Sequence, residues 1–269
     1  MKTTVKKYLW TWAVLGLVAV ARAASPLQAG ETDGSQTITI GAAADLKFAL
    51  DQVIADFHKQ HSNVTIRVSY GSSGNLFTQI SNGAPFDLFL SADIDYPRKL
   101  IEEKRATEDS LFSYAVGRVV IWVPKESPID VEKLGIEALL APSVRKIAIA
   151  NPEHAPYGRA AVAAMKKLGV YDKISDKLVL GENIAQAAQF VESGAADIGL
   201  IALSLAVSPK MSAEGRHWEV PQDAYPRLEQ AGVILSASKQ PDLANQFRAM
   251  LVSSQGRETL RRHGFILPE

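Results

Sequence analysis

Cysteine is absent from the 269 residues, which removes disulfides, thiolate metal ligands and a cysteine nucleophile, and leaves no thiol for a lipid anchor at an export site. An excess of positive charge is missing too, since 29 Lys and Arg stand against 29 Asp and Glu; a nucleic-acid-binding surface has no electrostatic footprint here. No run of 18 apolar residues occurs, so no membrane-inserted helix is expected. What is present is a globular composition, 47% hydrophobic and 22% charged, on a chain long enough for one large or two medium domains.

The first residues stand apart. Lys2, Lys6 and Lys7 precede an apolar run over residues 8–20, and Ala21-Arg22-Ala23 makes an A-x-A cleavage site. This predicts a secretory signal peptide over 1–23, followed by a small, polar and disordered lead-in over 24–36. The mature chain then carries 25 basic against 29 acidic side chains, a net charge of −4. A soluble exported protein without a lipid is held most simply in a periplasm, which points to a bacterium with two membranes.

From Thr37 onward short β-branched runs alternate with amphipathic ones. Strands are predicted at 37–40, 64–70 and 86–91. Helices follow each: one begins at Asp45 with Leu46, Leu50, Val53, Ile54 and Phe57 on one face, one opens at Gly71-Ser72-Ser73-Gly74 and runs through Ile80, and one spans 96–103. The rhythm restarts with a long strand-like run at 114–123 and strands at 146–150, 177–180 and 196–201, with helices at 131–140, 158–168 and 184–193 between them. A strand at 233–237, an amphipathic helix carrying Leu243, Phe247, Met250 and Leu251, and a short helix ending near Gly264 complete the chain. Such βαβ rhythm predicts an α/β protein with mostly parallel sheets flanked by helices, and two lobes suit its length.

Ligands of such folds sit beyond the carboxyl ends of strands, in loops that open helices. Four loops qualify: 42–45, 71–74, 151–158 and 181–184. All hold small or hydroxyl residues in place of Lys or Arg. Helix N-termini present free N–H groups and a partial positive charge, so several converging on one point suit a small oxyanion, and Ser72, Ser73 and Tyr157 add hydroxyls.

The stretches Ala42-Ala43-Ala44-Asp45-Leu46, Tyr70-Gly71-Ser72-Ser73-Gly74-Asn75-Leu76, Asn82-Gly83-Ala84-Pro85-Phe86-Asp87, Ser91-Ala92-Asp93, Asn151-Pro152-Glu153-His154-Ala155-Pro156-Tyr157-Gly158 and Gly264-Phe265 resemble, in order and over the mature chain, the periplasmic molybdate-binding proteins of ABC uptake systems. The resemblance implies a type II periplasmic binding protein of two lobes, 37–116 with 232–269 and 117–231, joined by two crossover strands near 115–119 and 224–233. It implies a monomeric receptor without cofactor or catalytic residues that closes on molybdate or tungstate and meets ABC permease subunits. Its ligand-binding positions fall on Ala44 and Asp45, Ser73 with Ser72 beside it, Tyr157, and Ile184 through its backbone N–H.

Asp45 departs from that family, whose members commonly carry Ser or Asn there. A carboxylate about 4 Å from a dianion repels it by roughly 8 kcal/mol at an effective dielectric near 20, against about 0.3–2 kcal/mol from one helix terminus. The favoured reading is therefore that Asp45 turns back to cap its own helix, accepting from the N–H of Lys47 or Phe48. The alternative is that it accepts a proton from a protonated oxyanion, which would favour phosphate or arsenate. Sulfate is a further candidate ligand. An exported hydrolase is disfavoured, since Gly71-Ser72-Ser73-Gly74-Asn75 breaks the G-x-S-x-G elbow. His58 and His61, at i and i+3 near a helix end, fit dipole complementation better than a cation site, and His217 and His263 stand alone. His154 is placed to order Tyr157 or to serve the turn. Asp87 and Asp93 read as structural, and Asp95, Arg98 and Lys99 as a solvated face or a permease contact.

Overall fold

The computed structural model describes residues 36–269; the signal peptide and all but the last residue of the lead-in lie outside the described residues. Gln36, assigned to that lead-in, already belongs to the first strand. The strands are β1 (Gln36–Ala43), β2 (Val64–Gly71), β3 (Leu88–Ser91), β4 (Phe112–Gly117) and β5 (Val119–Pro124), then β6 (Ile147–Ala150), β7 (Leu178–Gly181), β8 (Ile198–Ala202), β9 (Gly215–Glu219) and β10 (Leu228–Ile234). The helices are α1 (Lys47–His58), α2 (Ser73–Ser81), α3 (Asp95–Glu102), α4 (Val131–Leu134) and α5 (Pro156–Lys167), then α6 (Ile184–Glu192), α7 (Leu203–Ala206), α8 (Pro209–Glu214), α9 (Pro241–Val252) and α10 (Ser254–Arg262).

Two five-stranded sheets result, in the orders β2-β1-β3-β10-β4 and β7-β6-β8-β5-β9. Each is mixed. In the first, β1 runs parallel to β2 and β3, with Ile40 opposite Val68 and Leu88; in the second, β6 runs parallel to β7 and β8. The strands that follow a passage between the sheets, β5 and β10, run antiparallel to both of their neighbours.

Burial explains the sequence pattern. Along β3, Leu88 and Leu90 face a core shared with Leu50, Phe57, Phe247 and Leu260, while Phe89 faces Leu76, Ile80 and Leu100 on the other side. Alternate side chains of a strand point to opposite faces, and helices cover both, so the strand reads as continuously apolar. Each such buried Leu or Phe contributes about 1.5–3 kcal/mol. The second sheet has its own core around Trp122, Ile121, Ile149 and Leu200, and Ala43, Ala44 and Ala92, at and just beyond the strand ends of the first sheet, pack into it. Small residues at that junction let the two lobes touch closely.

Three expectations shift, and one strand is new. The run 114–123 is two strands in two sheets, parted by Arg118, whose guanidinium donates to the Gly264 carbonyl at 3.0 Å and to Glu219 at 3.0 Å. The helix expected at 131–140 breaks at Gly135, where φ is +55° and the chain passes into a 3₁₀ turn beneath Trp218. The last strand lies at Leu228–Ile234, earlier than 233–237, because a turn at Leu235 to Ser238 follows it, with the Ser238 N–H on the Leu235 carbonyl. The strand β9, Gly-Arg-His-Trp-Glu, is a half-exposed edge without apolar alternation and leaves no sequence signal. The two passages between sheets are tied together where the Val119 N–H donates to the Tyr225 hydroxyl at 3.1 Å.

Candidate functional site

The four loops converge. Ala44, Asp45, Ser72, Ser73, Tyr157 and Ile184 all line one small cavity between the sheets, of about 10 Å³, room for the centre of about one water-sized sphere. Ala43, Gly71, Ala92, Ala155 and Pro156 complete its wall, and no Lys or Arg is among them. An anion that enters meets backbone dipoles, hydroxyls and the Asp45 carboxyl, and no cationic side chain.

The loops contribute unequally. Ser73 opens α2, is fully buried, and its Oγ accepts from the Ala92 N–H at 2.9 Å; its own hydrogen is left to point elsewhere. At α6, the Asn183 side chain accepts from the N–H groups of Ala185 and Gln186 at 3.0 Å each. That leaves the N–H of Ile184, the first residue of the helix, outside the cap. Ala44 and Asp45 lie in a 3₁₀ turn, Ala44–Leu46, that leads into α1, and the side chain of the residue before it, Ala43, cannot cap.

Ser72 and Tyr157 differ from expectation. Ser72 is the N-cap of α2, accepting weakly from Asn75 at 3.4 Å, and its Oγ is 2.9 Å from His154 Nδ1 on the opposite lobe. It therefore clasps the lobes from the cavity wall. His154 orders Ser72 and not Tyr157, and its carbonyl accepts from the Gly74 N–H at 2.9 Å. The Tyr157 hydroxyl donates to Asp45 Oδ2 at 2.9 Å. A phenol has one hydrogen, so in this structure Tyr157 walls the cavity and holds Asp45 without donating into it. Burial, with Asp45 beside it, pushes its phenol well above the ordinary range.

The favoured reading of Asp45 is overturned. Its side chain does not cap α1, since no side-chain cap bond exists at either the 3₁₀ turn or the helix. The reason is register: Asp45 is the second residue of the turn, beyond the cap position from which a carboxylate reaches the free N–H groups. Instead Oδ2 accepts from Tyr157 and from Gln230 Nε2 at 2.5 Å, and the Asp45 carbonyl accepts from Ser204 Oγ at 2.8 Å. Asp45 is 1% exposed and Oδ1 has no partner. Burial raises the carboxyl from 3.8 to about 6, against the lowering by Gln230, Tyr157 and the N–H groups of Asp45 and Leu46.

Gln230 and Ser204 escape the sequence reading. Gln230, wholly buried on β10, was hidden because the last strand is placed too late; a lone amide amid Leu228, Ala231 and Val233 is the signal that marks it. Asp93 is more than a loop brace, for its Oδ2 lies 2.6 Å from Arg159 Nη2 on the opposite lobe, and the same guanidinium donates to Tyr96 at 3.1 Å. Asp87 keeps its structural role, accepting from Thr39, Ser238 and Lys239.

Comparison with known proteins agrees with this architecture. The profile of the family described as bacterial extracellular solute-binding protein matches residues 38–266. The molybdate-binding protein ModA of Rhodobacter capsulatus is 36% identical over 250 residues, 93% of this chain and 94% of its own. The protein of the same name from Azotobacter vinelandii is 34% identical over 93% of each chain. The solved Azotobacter vinelandii periplasmic molybdate-binding protein superposes with a TM-score of 0.81 at 32% identity, covering 86% of this chain and 100% of the other. The sulfate-binding protein SubI of Mycobacterium tuberculosis, at 16% identity and a TM-score of 0.72 over 87% of this chain and 88% of its own, shares the fold. The chain belongs to the bacterial extracellular solute-binding proteins, a family of receptors and not of enzymes.

Proposed function

We propose that this protein is a periplasmic receptor that captures molybdate, and tungstate with it, between its lobes and delivers it as a monomer to the permease subunits of an ABC importer. The observation that carries the reading is the cavity itself: four helix-opening loops from both lobes meet on it, with the hydroxyl hydrogen of Ser73 and the Ile184 N–H left over and no cation in its wall. A tetrahedral dianion stripped of water is suited by several short neutral donors at fixed positions. Selection then rests on cage size, because molybdate and tungstate are nearly equal and both exceed sulfate. The molybdate-binding relatives support the choice of anion.

The lobes, one built on the sheet that holds β4 and β10 and the other on the sheet of β5 to β9, move about the passages at Arg118 and near Tyr225, and the ligand holds them shut. For closure to signal to a permease, the anion must bind the closed form better than the open one. Export by the signal peptide over 1–23 places the receptor in the periplasm.

A thermal-shift series on the mature protein with molybdate, tungstate, sulfate and phosphate at equal concentration tests the reading. A ligand at 100 times its Kd stabilises by about 2.7 kcal/mol, a shift of roughly 5–10 °C for a chain of this size. Molybdate and tungstate should produce it and sulfate should not. A shift with phosphate alone would assign the site to another oxyanion.

A further inference from the structure

We infer that Asp45 binds the oxyanion as a neutral acid: capture of the anion draws one proton from solvent onto Oδ1, and the O–H so formed becomes a donor to the ligand. The inference rests on the oxyanion reading above and adds to it a specificity residue and a coupling to pH.

The geometry leaves little else for this carboxyl to do. Oδ2 is occupied by the Tyr157 hydroxyl and the Gln230 amide at 2.9 and 2.5 Å. Oδ1 is buried, unpartnered, and belongs to a residue in the cavity wall. A proton placed on Oδ1 breaks none of the existing bonds: Tyr157 and Gln230 still donate to Oδ2, which keeps its lone pairs. The same atom changes from an acceptor that repels a dianion to a donor that binds it.

Nothing nearby offers a cheaper way to neutralise the charge. The groups facing Asp45 are Tyr157 from α5, Tyr114 from β4, Gln230 from β10 and Ser204 from α7. The two phenols are the titratable ones, and both are held well above their ordinary range by burial, so neither supplies the proton. On α1, Lys47 and Asp51 pair with each other at the surface, and the titratable residue of α6, Glu192, lies at its far end beside Lys210. The carboxyl already sits near 6 through burial, and a dianion brought against it raises it further. Molybdate has no proton of its own to give at neutral pH, so the balance is one solvent proton in and none released.

The test is calorimetry of the mature protein with sodium molybdate, in pairs of buffers with different ionisation enthalpies, across about pH 5 to 8.5. Proton uptake should rise from about zero at the acid end to about one at pH 8, and the Kd should weaken about tenfold per pH unit above pH 7. In Asp45→Asn, whose amide replaces the acid O–H with an N–H, uptake and the pH slope should both vanish. Asp45→Ser gives a second neutral donor should the amide disturb folding. Molybdate binding by the wild type with buffer-independent heat and a flat pH profile overturns the protonated Asp45 and leaves the receptor reading intact. Tight phosphate binding that follows its protonated form, with no proton uptake, has the ionised Asp45 accept from the ligand and overturns it too. No molybdate heat at any pH overturns the receptor reading itself, and this inference with it.

Discussion

Asp45 concentrates the conflict between stability and binding in one carboxyl group. Its folded value of about 6 lies above the unfolded 3.8, so its stabilising contribution is complete below pH 3.8 and is lost as the pH rises through 6. The span corresponds to at most about 3 kcal/mol. Asp45→Asn removes the ionisation while keeping an oxygen for Tyr157 and Gln230. The ligand-free variant should therefore melt above the wild type at pH 8, by up to roughly 6–12 °C, and the gap should shrink to about a third as the pH falls to 4.5. Melting curves at the two pH values check this; an equal gap at both would show that ionisation of Asp45 does not set the cost. Gly117 is the second sensitive residue, because a Cβ there would lie 2.2 Å from the Tyr157 hydroxyl and 2.9 Å from Gln230 Nε2. Gly117→Ala should thus push Tyr157 from Asp45 and weaken molybdate binding by more than about tenfold, about 1.4 kcal/mol, in a protein whose far-ultraviolet circular dichroism is unchanged. At this scale the sequence was only partly readable. The six cavity residues stand in loop motifs of their own, whereas their bonding depends on Gln230, which is 185 positions from Asp45 and has no local pattern tying it there.

At the scale of elements, the position of α2 decides whether the lobes can meet. Gly74, its second residue, donates its N–H to His154 across the cleft, and a Cβ there would lie 2.6 Å from that carbonyl and 2.8 Å from the Tyr96 hydroxyl. Gly74→Ala should leave both sheets folded and hold the lobes apart, costing about tenfold or more in molybdate affinity. Calorimetry gives the affinity, and wild-type binding would mean that the Gly74 contact is dispensable to closure. The helices themselves were legible because their signals are local. Asn183 before α6, Ser72 before α2 and Pro156 at the start of α5 are caps and starts of ordinary kind. The strands β3, β6 and β8 were legible as short apolar runs. What periodicity did not carry was the direction of β5 and β10 or the edge strand β9, since strand order and sense are set by crossovers and by packing far along the chain.

Across the whole molecule, closure is a balance among contacts that reach over the cleft: Tyr157 to Asp45, Ser72 to His154, Asn75 to Glu182 at 3.5 Å, and Arg159 to Asp93. The first is deeply buried, and the last lies at the rim, with side chains 41% and 25% exposed. A rim ion pair is worth about 0–1 kcal/mol and is screened by salt. Removing it should shift the lobes toward the open form without touching the cavity. Arg159→Gln should therefore weaken molybdate binding by at most about fivefold, through an open state that competes better and not through a lost ligand contact. Small-angle scattering should show a larger radius of gyration for the ligand-free variant than for the wild type, and equal radii once both are saturated. Wild-type protein in about 1 M salt should move toward the variant, because the Debye length there is about 3 Å. Equal ligand-free radii at low salt would place the restraint on closure in the buried Asp45 cluster alone, where salt has little reach.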